Sequence, residues 1–220
     1  MGFIVAVDGP SGSGKGTIAK EISKLLGLVN LDTGATYRCV ALEVINKKIK
    51  LSDRDNIIKL LDNIDIRIEN DCNIYLNNNN VTKRIRDNDV TDIVSQISSI
   101  IPVRIKMVEL QRRMAQGKDV IIEGRDIGTY VFPNADIKIY LDADEQIRAK
   151  RRYEENIQKG MKTTYEQVLE NIQIRDYNDK NKEIGSLKIT EDYIIIDTSN
   201  MTIDQVVEKV KCIIQEKYKI

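Results

Sequence analysis

Phe3-Ile4-Val5-Ala6-Val7, then Asp8, then Gly9-Pro10-Ser11-Gly12-Ser13-Gly14-Lys15-Gly16-Thr17, is the stretch that decides the fold. A short apolar run rich in β-branched residues and bounded by glycine reads as a buried strand. The glycines after it let backbone N–H groups turn inward with no Cβ in the way. Lys15 opens a helix whose positive end favours an anion. Strand, glycine-rich turn, lysine and helix together make a phosphate-binding loop. One detail departs from the general pattern, which places Ser or Thr directly after the lysine. Here Gly16 intervenes and Thr17 follows.

The same alternation continues along the chain. From Lys15 to Leu26 the apolar positions Ile18, Ile22, Leu25 and Leu26 fall on one helical face, and Gly27 is a natural stop. Residues 28–31, 119–122, 136–141 and 193–197 are further strand signals. β-Branched runs alternating with helices predict an α/β fold, a parallel sheet covered on both faces. Thr202 and Gln205 form a capping box for a last helix with Ile203, Val206, Val207, Val210, Ile213 and Ile214 on its core face. Two segments break the rhythm. Around Asn77-Asn78-Asn79-Asn80, residues 64–86 read as a small antiparallel insert, because Asn tolerates positive φ in a hairpin turn. Residues 148–182 read as a charged helical hairpin, with Gly160 at its turn and Thr163 with Glu166 capping its second helix. Such a polar hairpin suits a mobile lid better than a core. The expectation is one domain, with core segments 1–62, 87–147 and 183–220, an insert at 63–86 and a lid at 148–182.

Composition narrows the partners. Lys+Arg and Asp+Glu are both 34, so the 220-residue chain has no net charge. Neither nucleic acid nor a membrane surface is indicated. Cys39, Cys72 and Cys212 are dispersed, which argues against a disulfide framework or a zinc site. There is no histidine, so His-based triads are excluded. No apolar stretch approaches the ~20 residues needed to span a bilayer. A monomer in the cytoplasm is expected. A guanine-reading switch would need Asn-Lys-x-Asp. Asn46-Lys47 is followed by Lys48-Ile49, and Asn181-Lys182 by Glu183-Ile184.

In an open α/β sheet, ligands bind beyond the carboxyl ends of the strands. Asp32-Thr33-Gly34-Ala35-Thr36-Tyr37-Arg38 and Glu123-Gly124-Arg125-Asp126-Ile127-Gly128-Thr129 both follow strands. Arg38 can therefore fork onto an anion near the loop, and Arg125 and Asp126 lie at the same end of the sheet. The plainer readings are an N-cap for Asp32 and a mutual ion pair for Arg125 and Asp126. Residues 95–104 and 175–182 repeat the mixture of hydroxyl, carboxylate and cation.

The Gly-Lys-Gly-Thr ending resembles small-molecule kinases, chiefly those of nucleotides. Taken with Ile85-Arg86, Ser95-Gln96, Val131-Phe132-Pro133, Arg175-Asp176 and Asp179, the motifs resemble bacterial cytidylate kinases in order and spacing over essentially the whole chain. The resemblance implies the P-loop nucleoside-monophosphate-kinase fold with a five-stranded parallel sheet, and transfer of the γ-phosphoryl of ATP, with Mg²⁺, to CMP or dCMP. By position, Gly9, Pro10, Ser11, Gly12, Ser13, Gly14, Lys15, Gly16 and Thr17 would hold ATP, with Thr17 near the metal. Thr33, Ser95, Arg104, Asp126 and Lys182 would meet the base. Arg38 and Arg125 would hold the acceptor phosphate, and Arg175 and Asp179 the sugar. Arg148, Arg151 and Arg152 would close over the transferring group beside Lys15 and Arg125. Cytosine offers an amino donor beside two acceptors, and Asp126 and Ser95 with Arg104 answer that pattern. Three positions depart from the family: Thr33 for Ser, Glu123 for Asp and Lys182 for Arg. The alternatives are another acceptor (UMP, a deoxynucleotide or a non-nucleotide) or a non-catalytic nucleotide-binding module.

Overall fold

The computed structural model describes residues 2–69, 73–158 and 160–218, so Cys72 falls outside the described residues. Strand β1 (Ile4–Asp8) leads through the glycine-rich loop into α1 (Lys15–Leu26), β2 (Val29–Asp32) and α2 (Thr33–Asn46). After α3 (Arg54–Leu60) come three short strands, β3 (Ile66–Ile68), β4 (Ile74–Leu76) and β5 (Asn79–Asn80). Helices α4 (Asn88–Ser98) and α5 (Ile101–Ala115) return the chain to β6 (Val120–Gly124). Then follow β7 (Ile137–Asp142), α6 (Glu145–Gln158), α7 (Tyr165–Lys180), β8 (Tyr193–Asp197) and α8 (Ile203–Tyr218).

The five long strands form the parallel sheet that the alternation predicts, in the order β2-β6-β1-β7-β8. Strand β1 lies between β6 and β7, so the loop after it opens at the switch point where ligands of such sheets bind. Pleating divides the strands' side chains between two cores. Val5 and Val7 pack with α1 and α8, while Ile4 and Ala6 pack with α5 and the turn after β6. Central positions such as Ile121, Ile122 and Ile139 have no solvent exposure.

The antiparallel insert is also present, in the order β3-β4-β5. Its turn is Asn77-Asn78, with φ of 48° and 67°, the left-handed pair that a two-residue hairpin demands. Ile66, Ile74 and Leu76 join Val81, Ile85 and the apolar faces of α2 to α5 in a third core. The α6–α7 hairpin has a small core of its own, Ala149, Val168 and Ile172.

Three local expectations shift. Strand β2 begins one residue later than the apolar run suggests. Helix α7 is capped by Thr164 and Gln167 rather than Thr163 and Glu166. The two boxes overlap in sequence, and the Thr164 side chain is the one that accepts from the Gln167 N–H. Ile203 and Leu25 leave their expected core faces: they are 56% and 58% exposed. Leu25 sits in the last turn at the edge of its stripe, and Ile203 in the first turn of α8 faces a cavity instead of the sheet.

Because Ile139 is fully buried in β7, Ile139→Ala should leave a void and cost about 2–5 kcal/mol of stability. Urea unfolding measures this, and an unchanged midpoint would contradict the core assignment.

Candidate active site

Two adjoining cavities open at the carboxyl end of the sheet. The larger, about 880 Å³, is lined by Ser11 to Thr17 of the loop and by Arg38, Arg86, Glu123, Arg125, Arg151, Arg152 and Arg175. The smaller, about 110 Å³, is lined by Thr33, Arg38, Ser95, Arg104, Arg125, Asp126, Arg175, Asp179 and Lys182. All nine residues expected at an acceptor site thus border one space, although they come from four separate stretches of chain. Asp32, Gly34, Arg38, Glu123, Arg125 and Arg175 border both cavities and form a shared wall.

The loop is built by close approaches. Gly9 has φ of 149°, and a Cβ there would collide with the Leu141 carbonyl at the end of β7. A Cβ at Gly16 would lie 2.8 Å from Glu123 Oε1. The glycine that interrupts the general motif therefore makes room for the Glu123 carboxylate against the loop. The Lys15 ammonium folds back within the loop, donating to the Pro10 carbonyl at 2.7 Å and to Ser13 Oγ at 3.3 Å. Burial, then the neighbouring Arg125, pulls its pKa down to about 7. Glu123 moves the other way, up to about 7, through burial and the nearby Asp32. Gly9 and Pro10 do not line the larger cavity; they carry the chain into the loop.

In the smaller cavity, Arg125 and Asp126 do not pair with each other. Arg125 Nε donates to Asp179 Oδ2 at 2.8 Å, whereas Asp126 takes Arg104 as its partner in a buried ion pair. Lys182 Nζ bridges Asp179 Oδ1 at 2.8 Å and Ser98 Oγ at 3.1 Å. Burial would raise the Asp179 carboxyl, but Arg125 and Lys182 outweigh it and hold the group well below the usual range. Asp126 is pushed up to about 6 because burial outweighs Arg104. Thr33 Oγ1 donates to the Glu123 carbonyl at 2.7 Å, tying the end of β2 to β6. Asp32 does cap α2, accepting from the Ala35 N–H, and its other oxygen accepts from Arg86 at 2.5 Å. Arg38 Nη1 donates to the Ile85 carbonyl and to Thr91 Oγ1. The Arg175 guanidinium makes no hydrogen bond or ion pair among the described residues; burial, then Arg125, lowers its pKa to about 10.

The hairpin arginines separate. Arg151 and Arg152 face the larger cavity, Arg151 donating to the Thr198 carbonyl at 2.6 Å and Arg152 to Glu155 at 2.9 Å. Arg148 departs from the expectation of a closing cation. It is buried, donates to the Ser11 and Ala143 carbonyls at 2.9 Å, and pairs with Asp176 at 2.7 Å. Asp176 in turn accepts from the Ser11 N–H. Arg148 is thus a strut under the loop, because Asp176 and two carbonyls occupy its guanidinium. The sequence motifs include Asp32 and Arg86 but assign neither a binding role, the helical period puts Ile203 in the core, and nothing in the sequence singles out Ser98 or Met201; all five line the two cavities, Met201 and Ile203 the larger.

Sheet order, loop and cationic wall together define a P-loop kinase fold. A family model described as cytidylate kinase matches residues 5–216, and the chain belongs to that family. It is 44% identical over 209 residues to the cytidylate kinase of Caldicellulosiruptor saccharolyticus, covering 94% of this chain and 92% of that one. It is 41% identical over 216 residues to the cytidylate kinase of Halalkalibacterium halodurans, covering 97% of both. In fold alone the chain is similar to a shikimate kinase from Bacteroides thetaiotaomicron, with a TM-score of 0.50 at 12% identity over 99% of each chain.

Gly185, at φ of 65°, packs so tightly on the Arg104–Asp126 pair that a Cβ there would fall on both side chains. Gly185→Ala should therefore destabilise the protein by about 1–3 kcal/mol through overpacking. A urea midpoint equal to that of the parent would refute the packing.

Proposed function

We propose that the protein transfers the γ-phosphoryl group of ATP to the α-phosphate of CMP or dCMP. The observation that carries this reading is the shared wall. A polyphosphate in the loop and a monophosphate in the smaller cavity would both end at Arg38, Arg125 and Arg175. The acceptor is already an anionic oxygen, so alignment and charge neutralisation supply the catalysis and no general base is required.

ATP would lie along Gly9 to Thr17, with its purine toward Met201 and Ile203. Lys15 would leave its loop carbonyl for the β/γ-phosphates. Mg²⁺ accompanies ATP in this reading and neutralises phosphate charge when bound. The Thr17 hydroxyl and the adjacent Glu123 carboxylate are hard oxygen donors that fit such an ion or its waters. Arg151 and Arg152 would meet the transferring group from the hairpin. Thr33, Ser95, Arg104, Asp126 and Lys182 would read the base, and Asp179 the sugar. The smaller cavity is about 110 Å³, well under the ~300 Å³ at which small-molecule sites begin. Acceptor entry therefore calls for movement of the insert, 63–86, or of the hairpin, 148–182, as closing parts.

Release of ADP with ATP–Mg²⁺ across a panel of nucleoside monophosphates tests the reading. Turnover with CMP and dCMP is expected, and no acceptor-dependent release would favour a binding module. Lys15→Ala should lower kcat by about 10²-fold or more, as loss of a phosphoryl-clamp cation does. Asp126→Ala should impair CMP use far more than ATP binding, and equal loss of both would count against its base-reading role. With its pKa raised to about 6, Asp126 gains a proton as the pH falls through that value and ceases to be a charged acceptor. The KM for CMP should therefore rise below pH 6 while the Kd for ATP stays flat. A flat KM would contradict the assignment.

A further inference from the structure

Asp8 is the last residue of β1 and has no solvent exposure, yet none of the roles above uses its carboxylate. Its position follows from the pleat. Asp8 shares the parity of Ile4 and Ala6, the side of the sheet that packs against Ile127 and Val131. Oδ1 accepts from the Ile127 N–H at 2.9 Å. Oδ2 accepts from the Gly128 N–H at 2.9 Å and from the Tyr193 hydroxyl of β8 at 2.6 Å. Both oxygens are thus satisfied by donors from two other parts of the fold. This is how a buried carboxylate is tolerated.

The segment it grips is the one that bears Arg125 and Asp126. Directly after Asp126 the chain makes a single π turn over Ile127–Val131, and the Asp126 carbonyl accepts from the N–H groups of both Tyr130 and Val131. Such single π turns are rare, and this one has support from outside it. Arg112 supplies part of it by donating to the Tyr130 and Val131 carbonyls. Asp8 holds the other end. Gly128 completes the fit: a Cβ there would lie 2.5 Å from the Tyr193 oxygen, so only glycine leaves the phenol room to reach the carboxylate.

We infer that Asp8, with Tyr193, is a positioning residue that aims Arg125 and Asp126 at the acceptor while its own backbone begins the ATP loop. One side chain thereby sets the acceptor-binding segment relative to the donor-binding one. The inference rests on the acceptor reading given above. Asn in place of Asp8 keeps the size but offers one acceptor atom, and in either orientation its NH₂ must face a backbone N–H, that of Ile127 or that of Gly128. The segment after Arg125 should then shift, and errors of that scale in aligning reactants are expensive in rate.

The test is Asp8→Asn beside Tyr193→Phe, with kinetics, ATP binding and backbone amide NMR on the full chain. Asp8→Asn should lower kcat/KM for CMP by about 10- to 100-fold, the worth of one unmatched buried donor, with the Kd for ATP within about 3-fold of the parent. The Ile127 and Gly128 amide resonances should move while those of Gly14 and Gly16 stay. Tyr193→Phe keeps the carboxylate and loses one of three bonds, so a smaller rise in KM for CMP is expected with ATP binding unchanged. If Asp8→Asn does not fold, Tyr193→Phe decides alone. Parent-like CMP kinetics in the folded variants, or equal loss of both substrates, would overturn the inference. A parent protein that ignores CMP would instead sink the acceptor reading, and the amide shifts would still test the latch.

Discussion

Cations held together under cover are the constraint on which this structure turns. Eight basic side chains and three acidic ones line the larger cavity. Burial and mutual repulsion pull Lys15, Arg38 and Arg175 below their ordinary values, to about 7, 10 and 10. A protein gains nothing in stability from crowding like charges away from water. The arrangement makes sense as a cradle whose missing negative charge comes with the ligand. Asp32 and Glu155 of that lining, and Asp179 of the smaller cavity, hold Arg86, Arg152 and Arg125 in place without neutralising the group. The parallel sheet supplies the convergence, since β1, β2 and β6 end side by side and deliver the phosphate loop, Arg38 and Arg125 to one spot.

Much of this was legible in the chain, and the legible part shares a physical trait. The phosphate loop and the strand before it are local: spacing within the fifteen residues from Phe3 to Thr17 determines them. The Asn77-Asn78 turn and the Thr202 capping box are local too. What escaped depends on partners distant in sequence. Arg148 sits in a basic helix and reads as a lid cation, but Asp176 and the Ser11 carbonyl occupy its guanidinium. Arg125 and Asp126 look like a pair because they are adjacent, yet α7 and α5 supply their partners, Asp179 and Arg104. Ile203 satisfies the helical period and still faces a cavity, because periodicity does not reveal where the neighbouring layer ends.

The nine positions proposed for the acceptor site illustrate an intermediate case. Each is weak alone, and their common motif order is what drew them together. The structure adds how they are arranged: Lys182 is engaged with Asp179 and Ser98, and Gly185 is wedged against the Arg104–Asp126 pair. Glu123 and Gly16 are likewise one feature, although they lie on different elements. The carboxylate occupies the space that a Cβ at position 16 would take. The two departures from common patterns, the glycine after Lys15 and the glutamate near the end of β6, thus meet at one contact.

The central claim is that donor and acceptor sites meet at a shared cationic wall. A bisubstrate molecule linking adenosine to cytidine through a phosphate chain tests it most directly, by calorimetric titration. The account predicts binding much tighter than that of ATP or CMP alone, with displacement by either nucleotide. Affinity no better than that of ATP, or displacement by ATP but not by CMP, would contradict it.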